Sequence, residues 1–239
     1  MRLTDFEALS FDCYGTLIDW EAGLLAVLAP WARLRGLEIP AEDLLAGYAA
    51  AEERAEAERP TDPYPDVLAR AFLDLGRGLG AEVSQTDAET LARSVPDWPA
   101  FPDSAAALAG LARRYRLLIL SNVDRDSFAG SNRRLGTRFD AIVTAQDVGS
   151  YKPDQRNFDF LLERASGLGI GEGRLLHVAQ SLFHDHVPAK RAGLPTAWIN
   201  RRRGRPGWGA TPAPPVAVTP DWEFESMAAF ATAADGDRA

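Results

Sequence analysis

The apolar positions Phe6, Ala8, Leu9 and Phe11 run up to Asp12, and Gly15 and Thr16 follow at once. This pattern predicts a buried strand that delivers a carboxylate to its carboxyl end. After Thr16 the spacing changes, with Leu17, Leu24, Leu28, Trp31 and Leu34 recurring at helical intervals until Gly36. Leu44, Leu45, Tyr48 and the neighbouring alanines predict a second helix over 42–59, ended by Pro60, with AEERAEAER as its charged outer face. A turn containing Pro60, Pro63 and Pro65 leads to a third helix through Leu68, Phe72, Leu75 and Leu79, and 84–94 reads as a fourth. No strand intervenes. The stretch is far longer than an ordinary crossover connection, so 17–100, including its Pro-rich return, is predicted to be an inserted helical cap.

Pro96, Pro99 and Pro102 stiffen that return. Beyond it the pattern alternates. A helix is predicted over 104–114, then strand 117–120, helix 126–135, strand 141–144, helix 154–166, strand 175–179, helix 187–192 and strand 196–199. GRPGWGATPAPP reads as a surface loop, followed by an edge strand over 222–224 and a last helix over 227–233. Strand and helix in alternation imply parallel pairing with right-handed crossovers. The expected fold is therefore α/β: a Rossmann-like, doubly wound parallel sheet core formed by 1–16 and 101–239, with the helical cap inserted.

Composition narrows the function classes. With 239 residues, 46% of them hydrophobic, the chain can bury a sizeable core. A formal net charge of −8 provides no overall basic field for a nucleic-acid backbone, and Arg201 to Arg203 form only a short, isolated run. The one cysteine, Cys13, excludes an internal disulfide framework. No apolar run approaches the roughly 20 residues needed to span a bilayer, and MRLTDFEALS lacks a signal-peptide apolar region. These features predict a cytoplasmic protein with a small-molecule substrate, without nucleic-acid or membrane partners. Periodicity leaves open whether the apolar face of the cap packs on the core or on a second copy in a homodimer.

Polar residues gather at the predicted strand ends: Asp12 and Thr16 after the first, Ser121 and Asn122 after the second, Lys152 after the third, Ser181 and Asp185 after the fourth. A parallel sheet brings such ends to one rim, where ligands bind. A carboxylate nucleophile needs a cation to hold it ionised, donors for developing negative charge, and a further acid or base to handle water. Asp12, Lys152, Ser121 and Asp185 meet those needs together, although each alone has an ordinary structural role.

SFDCYGTLID, LILSNVD, SYKPD and HVAQSLFHD stand in the order of the four motifs of the haloacid dehalogenase superfamily, and the chain most resembles its type II 2-haloacid dehalogenases. That resemblance implies halide displacement from a small 2-haloalkanoic acid through an aspartyl ester, giving a 2-hydroxy acid, without a cofactor. It implies Asp12 as nucleophile, Thr16 and Ser121 orienting it, Lys152 balancing its charge and Asp185 placing water. Tyr14, Asn122 and Ser181 are expected on the substrate side. The rival within the superfamily is a Mg²⁺-dependent phosphatase. Phosphatases of that kind carry a second Asp where Tyr14 stands, to protonate a departing alkoxide. Tyr is a poor acid for that task, whereas halide leaves without a proton. Gln180 likewise stands where metal-dependent members place an acid, so no metal site is expected unless the phosphatase reading holds. The sequence HDH, with His184 and His186 beside Asp185, offers neighbours that point apart and so make a poor chelate.

The chain departs from the dehalogenase pattern in three places. AEDLLAGYAA lacks the arginine that contacts substrate and halide in the best-known members, Phe158 replaces a tyrosine, and Leu182 replaces an asparagine. Arg33, Arg35, Arg54 and Arg59 are the candidates to replace that arginine.

Overall fold

The computed structural model describes residues 1–171 and 173–236. Six parallel strands form one sheet in the order β3-β2-β1-β4-β5-β6. They are β1 (Ala8–Phe11), β2 (Arg116–Ser121), β3 (Ala141–Thr144), β4 (Leu175–Ala179), β5 (Thr196–Ile199) and β6 (Trp222–Phe224). Every residue of β1 and β4 is buried, the expected state of a parallel strand covered on both faces. Such strands read as continuous apolar runs, which is why β4 and β5 fall where the sequence places them, while β3 and β6 at the sheet edges are only partly buried. The strand order turns back between β1 and β4. That is the switch point of a doubly wound sheet, and the crevice beyond the carboxyl ends of these two strands is its natural ligand site.

Four helices lie between β1 and the return to the sheet: α1 (Trp20–Leu34), α2 (Ala41–Glu58), α3 (Tyr64–Gly78) and α4 (Gln85–Ala92). The side chain of Asp19 accepts from Ala22 N at 3.1 Å to start α1, and Ser84 accepts from Asp87 N at 3.1 Å to start α4. Leu28, Trp31, Leu45, Tyr48, Leu68 and Phe72 are buried among these helices, with Trp31 edge-on to Phe72. The chain leaves and re-enters the sheet along paired segments, where Asp19 N donates to Pro99 O at 2.8 Å and Phe101 N to Leu17 O at 3.0 Å. Gly23 of α1 admits the fully buried Trp98 of the return segment, because a Cβ there would lie 2.3 Å from the indole.

The inserted helices correct one expectation. Glu53, Arg54 and Glu58 of α2 are exposed, but Glu52 and Glu56 are buried beside Ala51 and Ala55, so AEERAEAER is not a wholly outward face. The remaining helices are α5 (Ser104–Leu111), α6 (Arg125–Leu135), α7 (Ala145–Val148), α8 (Arg156–Gly167), α9 (Val187–Arg191) and α10 (Met227–Gly236). The short α7 has a Thr144/Asp147 capping box that sequence periodicity over four residues does not reveal. Among the described residues no helix is long and apolar enough to cross a membrane.

Candidate active site

Asp12 emerges from β1 almost fully buried, and each of its oxygens has a partner. Thr16 Oγ1 donates to Asp12 Oδ2 at 2.7 Å and accepts from Gln180 N at 2.9 Å, which commits the threonine proton to the carboxylate. Lys152 Nζ donates to Asp12 Oδ1 at 2.9 Å, to Asp185 Oδ1 at 2.7 Å and to Leu120 O at 3.0 Å. An ammonium has three protons, so Lys152 is fully engaged. Its main chain is equally constrained: Asn122 Oδ1 accepts from Lys152 N at 2.6 Å while Asn122 Nδ2 donates to Lys152 O at 3.0 Å. The side chain expected to meet a substrate thus grips the lysine backbone while still lining the cavity.

Asp185 comes from a single π-turn, Leu182–His186, that follows β4. Ser181 caps that turn by accepting from His184 N at 2.9 Å. The wider turn carries Asp185 inward, a displacement often seen at functional sites. Behind it, His177 of β4 bridges Asp185 Oδ1 at 3.0 Å and Ser10 Oγ at 2.9 Å. His177 opens the HVAQSLFHD motif but lies inside strand 175–179, and the sequence assigns it no role of its own. Asp185 Oδ2 and Ser121 Oγ are buried without a protein partner.

The carboxyls differ in their proton affinity. Burial pushes Asp12 up from the ordinary carboxylate range, and Lys152 is the largest influence pulling it back. Asp185 is also penalised by burial, but Lys152 and His177 outweigh that penalty and hold it well below the usual range. The two acids push the Lys152 ammonium above its ordinary value despite burial. One ammonium thus serves two carboxyls, and the trio carries a net charge of −1 when all three groups are ionised.

Opposite this trio, α2 presents Glu52 and Glu56. Tyr48 and Tyr64 hydroxyls donate to Glu52 Oε1 at 3.2 and 3.0 Å, and Asn122 Nδ2 makes a long contact of 3.4 Å with Glu56 Oε1. Burial pushes Glu52 up to about 7 against the pull of those hydroxyls, and pushes Glu56 well above the ordinary range. Sequence pattern alone did not identify either residue; their i, i+4 spacing beside buried alanines was the available signal.

A narrow cavity of about 40 Å³ lies between the two sides, with Trp20, Tyr64, Ser181, His184 and Thr211 also in its wall. The ring of Tyr14 lines it and stands edge-on to Trp98, while its hydroxyl turns away to share a 2.9 Å hydrogen bond with Ser131 Oγ. Burial raises the Tyr14 phenol well above its ordinary value, so it is a poor proton donor. None of the four candidate arginines reaches the cavity: Arg33, Arg54 and Arg59 are exposed, and Arg35 donates to Glu82 O and Asp87.

Most of the oxygens that a Mg²⁺ ion would draw on are engaged with protein partners. Both Asp12 oxygens and one Asp185 oxygen already serve Thr16, Lys152 and His177, while the Gln180 side chain lies toward Thr211, at 3.4 Å. His186 Nε2 is engaged with Ala179 O at 3.0 Å, away from any shared point with His184. Among the described residues no three His, Cys, Asp or Glu side chains are grouped to hold a metal.

Comparison with known proteins agrees with this architecture. The chain is 30% identical over 248 aligned positions to an (S)-2-haloacid dehalogenase of Pseudomonas sp. (strain YL), covering 95% of this chain and 96% of that protein. It is 28% identical to (S)-2-haloacid dehalogenase H-109 of Pseudomonas putida, covering 82% and 86%. The fold superimposes on the L-2-haloacid dehalogenase of Xanthobacter autotrophicus, solved with chloropropionic acid covalently bound, with a TM-score of 0.75 at 21% identity, covering 97% of this chain and 99% of that one. Residues 6–178, from the strand before Asp12 to the strand before Asp185, match the family profile, and the chain belongs to the haloacid dehalogenase-like hydrolases.

Proposed function

We propose that this hydrolase breaks the carbon–halogen bond of a small 2-haloalkanoic acid, with Asp12 as nucleophile and the helical insertion as a cap over the site. An Asp12 oxygen attacks the halogen-bearing carbon in line, halide departs with the bonding electrons, and an aspartyl ester forms. Water then attacks the Asp12 carbonyl carbon, releasing a 2-hydroxy acid and regenerating the carboxylate. Thr16 orients Asp12, Lys152 balances its charge, and Asp185, with its unpartnered Oδ2, positions water, while Ser121 Oγ, expected to share the orienting role, makes no hydrogen bond to Asp12. Tyr14, Asn122 and Ser181 stand on the substrate side. The reading needs no cofactor and keeps a cytosolic enzyme acting on a small molecule.

The observation that carries it is Tyr14. Its hydroxyl is turned to Ser131 and holds its proton firmly, so the site offers no acid there for a departing alkoxide. A departing halide is a very weak base and needs none. The test is a side-by-side screen for halide release from 2-chloro and 2-bromo acids and phosphate release from small phosphate esters, in EDTA and after Mg²⁺ addition. Halide release that survives EDTA is expected. Phosphate release that requires Mg²⁺, without halide release, overturns the proposal.

A further inference from the structure

The cavity poses a donor-accounting problem for the anionic substrate of the reading above, on which this inference rests. Its one lysine is saturated by Asp12, Asp185 and Leu120 O. Asn122 Nδ2 is committed to Lys152 O and Glu56, Tyr64 to Glu52, and Tyr14 to Ser131. The Thr211 hydroxyl is 3.4 Å from Gln180 Oε1, and Ser181 Oγ is 3.2 Å from His184 Nδ1. Among the lining side chains, the Trp20 indole N–H, one proton of the Ser181–His184 pair and the two insertion carboxyls are left. Glu52 and Glu56 each use Oε1 toward protein donors, and their Oε2 atoms have no protein partner among the described residues. A carboxyl whose carbonyl oxygen accepts from the protein can donate from its other oxygen, provided that oxygen carries a proton.

We infer that Glu52 and Glu56 are the insertion's receptor for the substrate carboxylate, and that they bind it as neutral carboxylic acids donating from Oε2, so that binding of the anion takes up a proton from solution. The surroundings favour the neutral form. Glu52 and Glu56 are one helical turn apart and repel each other when both are ionised. Glu53 on the same helix, and Asp12, Asp185 and Asp124 from the core, add negative charge around the cavity. Tyr14, Tyr48, Tyr64 and Tyr151 are neutral phenols, and burial keeps His184 neutral by lowering it to about 4. Lys152 is the nearby cation, and its charge is answered by Asp12 and Asp185. An anion entering this field gains from acids that stay protonated and loses from any that ionise. Burial sets the Glu52 transition at about 7, so the effect falls in an accessible range.

The test uses propionate, which has the carboxylate but no leaving group, and calorimetric titration in two buffers of different ionisation enthalpy. At pH 8 the wild-type enzyme is expected to take up close to one proton per propionate, and at pH 5 close to none. The Kd rises by up to tenfold per pH unit above 7. In the Glu52→Gln, Glu56→Gln double variant, whose amides donate at any pH, uptake falls to near zero and the Kd becomes independent of pH. Pre-ionised acids would give wild-type binding without uptake, and that result overturns the inference. Uptake that persists in the double variant, or a site that binds propionamide but not propionate at any pH, overturns it as well. Should the double variant not fold, the wild-type proton count decides alone. No step depends on turnover, so failure of the halide-release screen and failure of this inference are separate results.

Discussion

Two sets of buried carboxyls face each other across one cavity, and only the sheet-side set is in hydrogen-bond contact with a cation. On the sheet side Lys152 sits between Asp12 and Asp185, and Asp185 lies well below the ordinary carboxylate range. On the insertion side Glu52 and Glu56 have only hydroxyl and amide donors, and both are raised. Burial acts on all four in the same direction. Lys152 opposes that burial at Asp12 and takes Asp185 below the ordinary range, and environments that push like groups apart are how one site keeps acids of both kinds near neutrality.

The sharpest way to break the comparison is to remove the nucleophile. Asp12→Asn is expected to lower turnover on the order of 10⁴-fold or more while the circular dichroism spectrum stays native, with mass spectrometry used to exclude reversion of the amide. Near-wild-type turnover in a verified variant would rule out the ester mechanism. Next comes the counter-ion itself. Lys152→Met is expected to slow single-turnover ester formation by about 10²- to 10³-fold, the usual cost of removing a preorganised electrostatic partner. Without Lys152 the largest influence lowering Asp12 is gone, so a smaller fraction is ionised at neutral pH and the acidic limb of the rate profile moves to higher pH. An unmoved limb would show that Lys152 does not control Asp12.

The smallest effect sharpens the insertion side. A Glu52 raised from 4.5 to about 7 by burial favours the folded state fully below pH 4.5, and that contribution is lost as pH rises through 7. The loss is on the order of 3 kcal/mol by pH 8. Urea denaturation should therefore show the stability of Glu52→Gln gaining on wild type by about that amount between pH 4 and pH 8. A constant difference across this range would mean that folding leaves the Glu52 pKa unshifted.

The sheet side of this contrast was legible in the sequence because parallel strands write themselves as apolar runs, and an acid, hydroxyl or lysine just beyond such a run has one rim to reach. Asp12, Thr16, Lys152 and Asp185 all meet there. His177 was hidden because it sits inside a run, where one polar letter does not change the strand reading. Glu52 and Glu56 were hidden for the opposite reason. On a helix rich in charge, periodicity cannot tell which glutamates face inward unless the packing of α2 over the sheet rim is known. Asn122 was placed correctly at the rim, but its grip on the Lys152 main chain depends on two loops meeting, which no local pattern encodes.

That grip has a consequence for the timing of order in the site. A free lysine side chain loses up to about 2 kcal/mol of rotamer entropy when it is fixed. Here one amide pins the backbone of Lys152 on both sides and three acceptors pin its tip, so the loss occurs as the protein folds and not as substrate arrives. In the proposed cycle the ammonium therefore waits in place. When Asp12 becomes a neutral ester, Lys152 and Asp185 remain as a self-neutralising pair, and no long side chain has to be recaptured before water attacks.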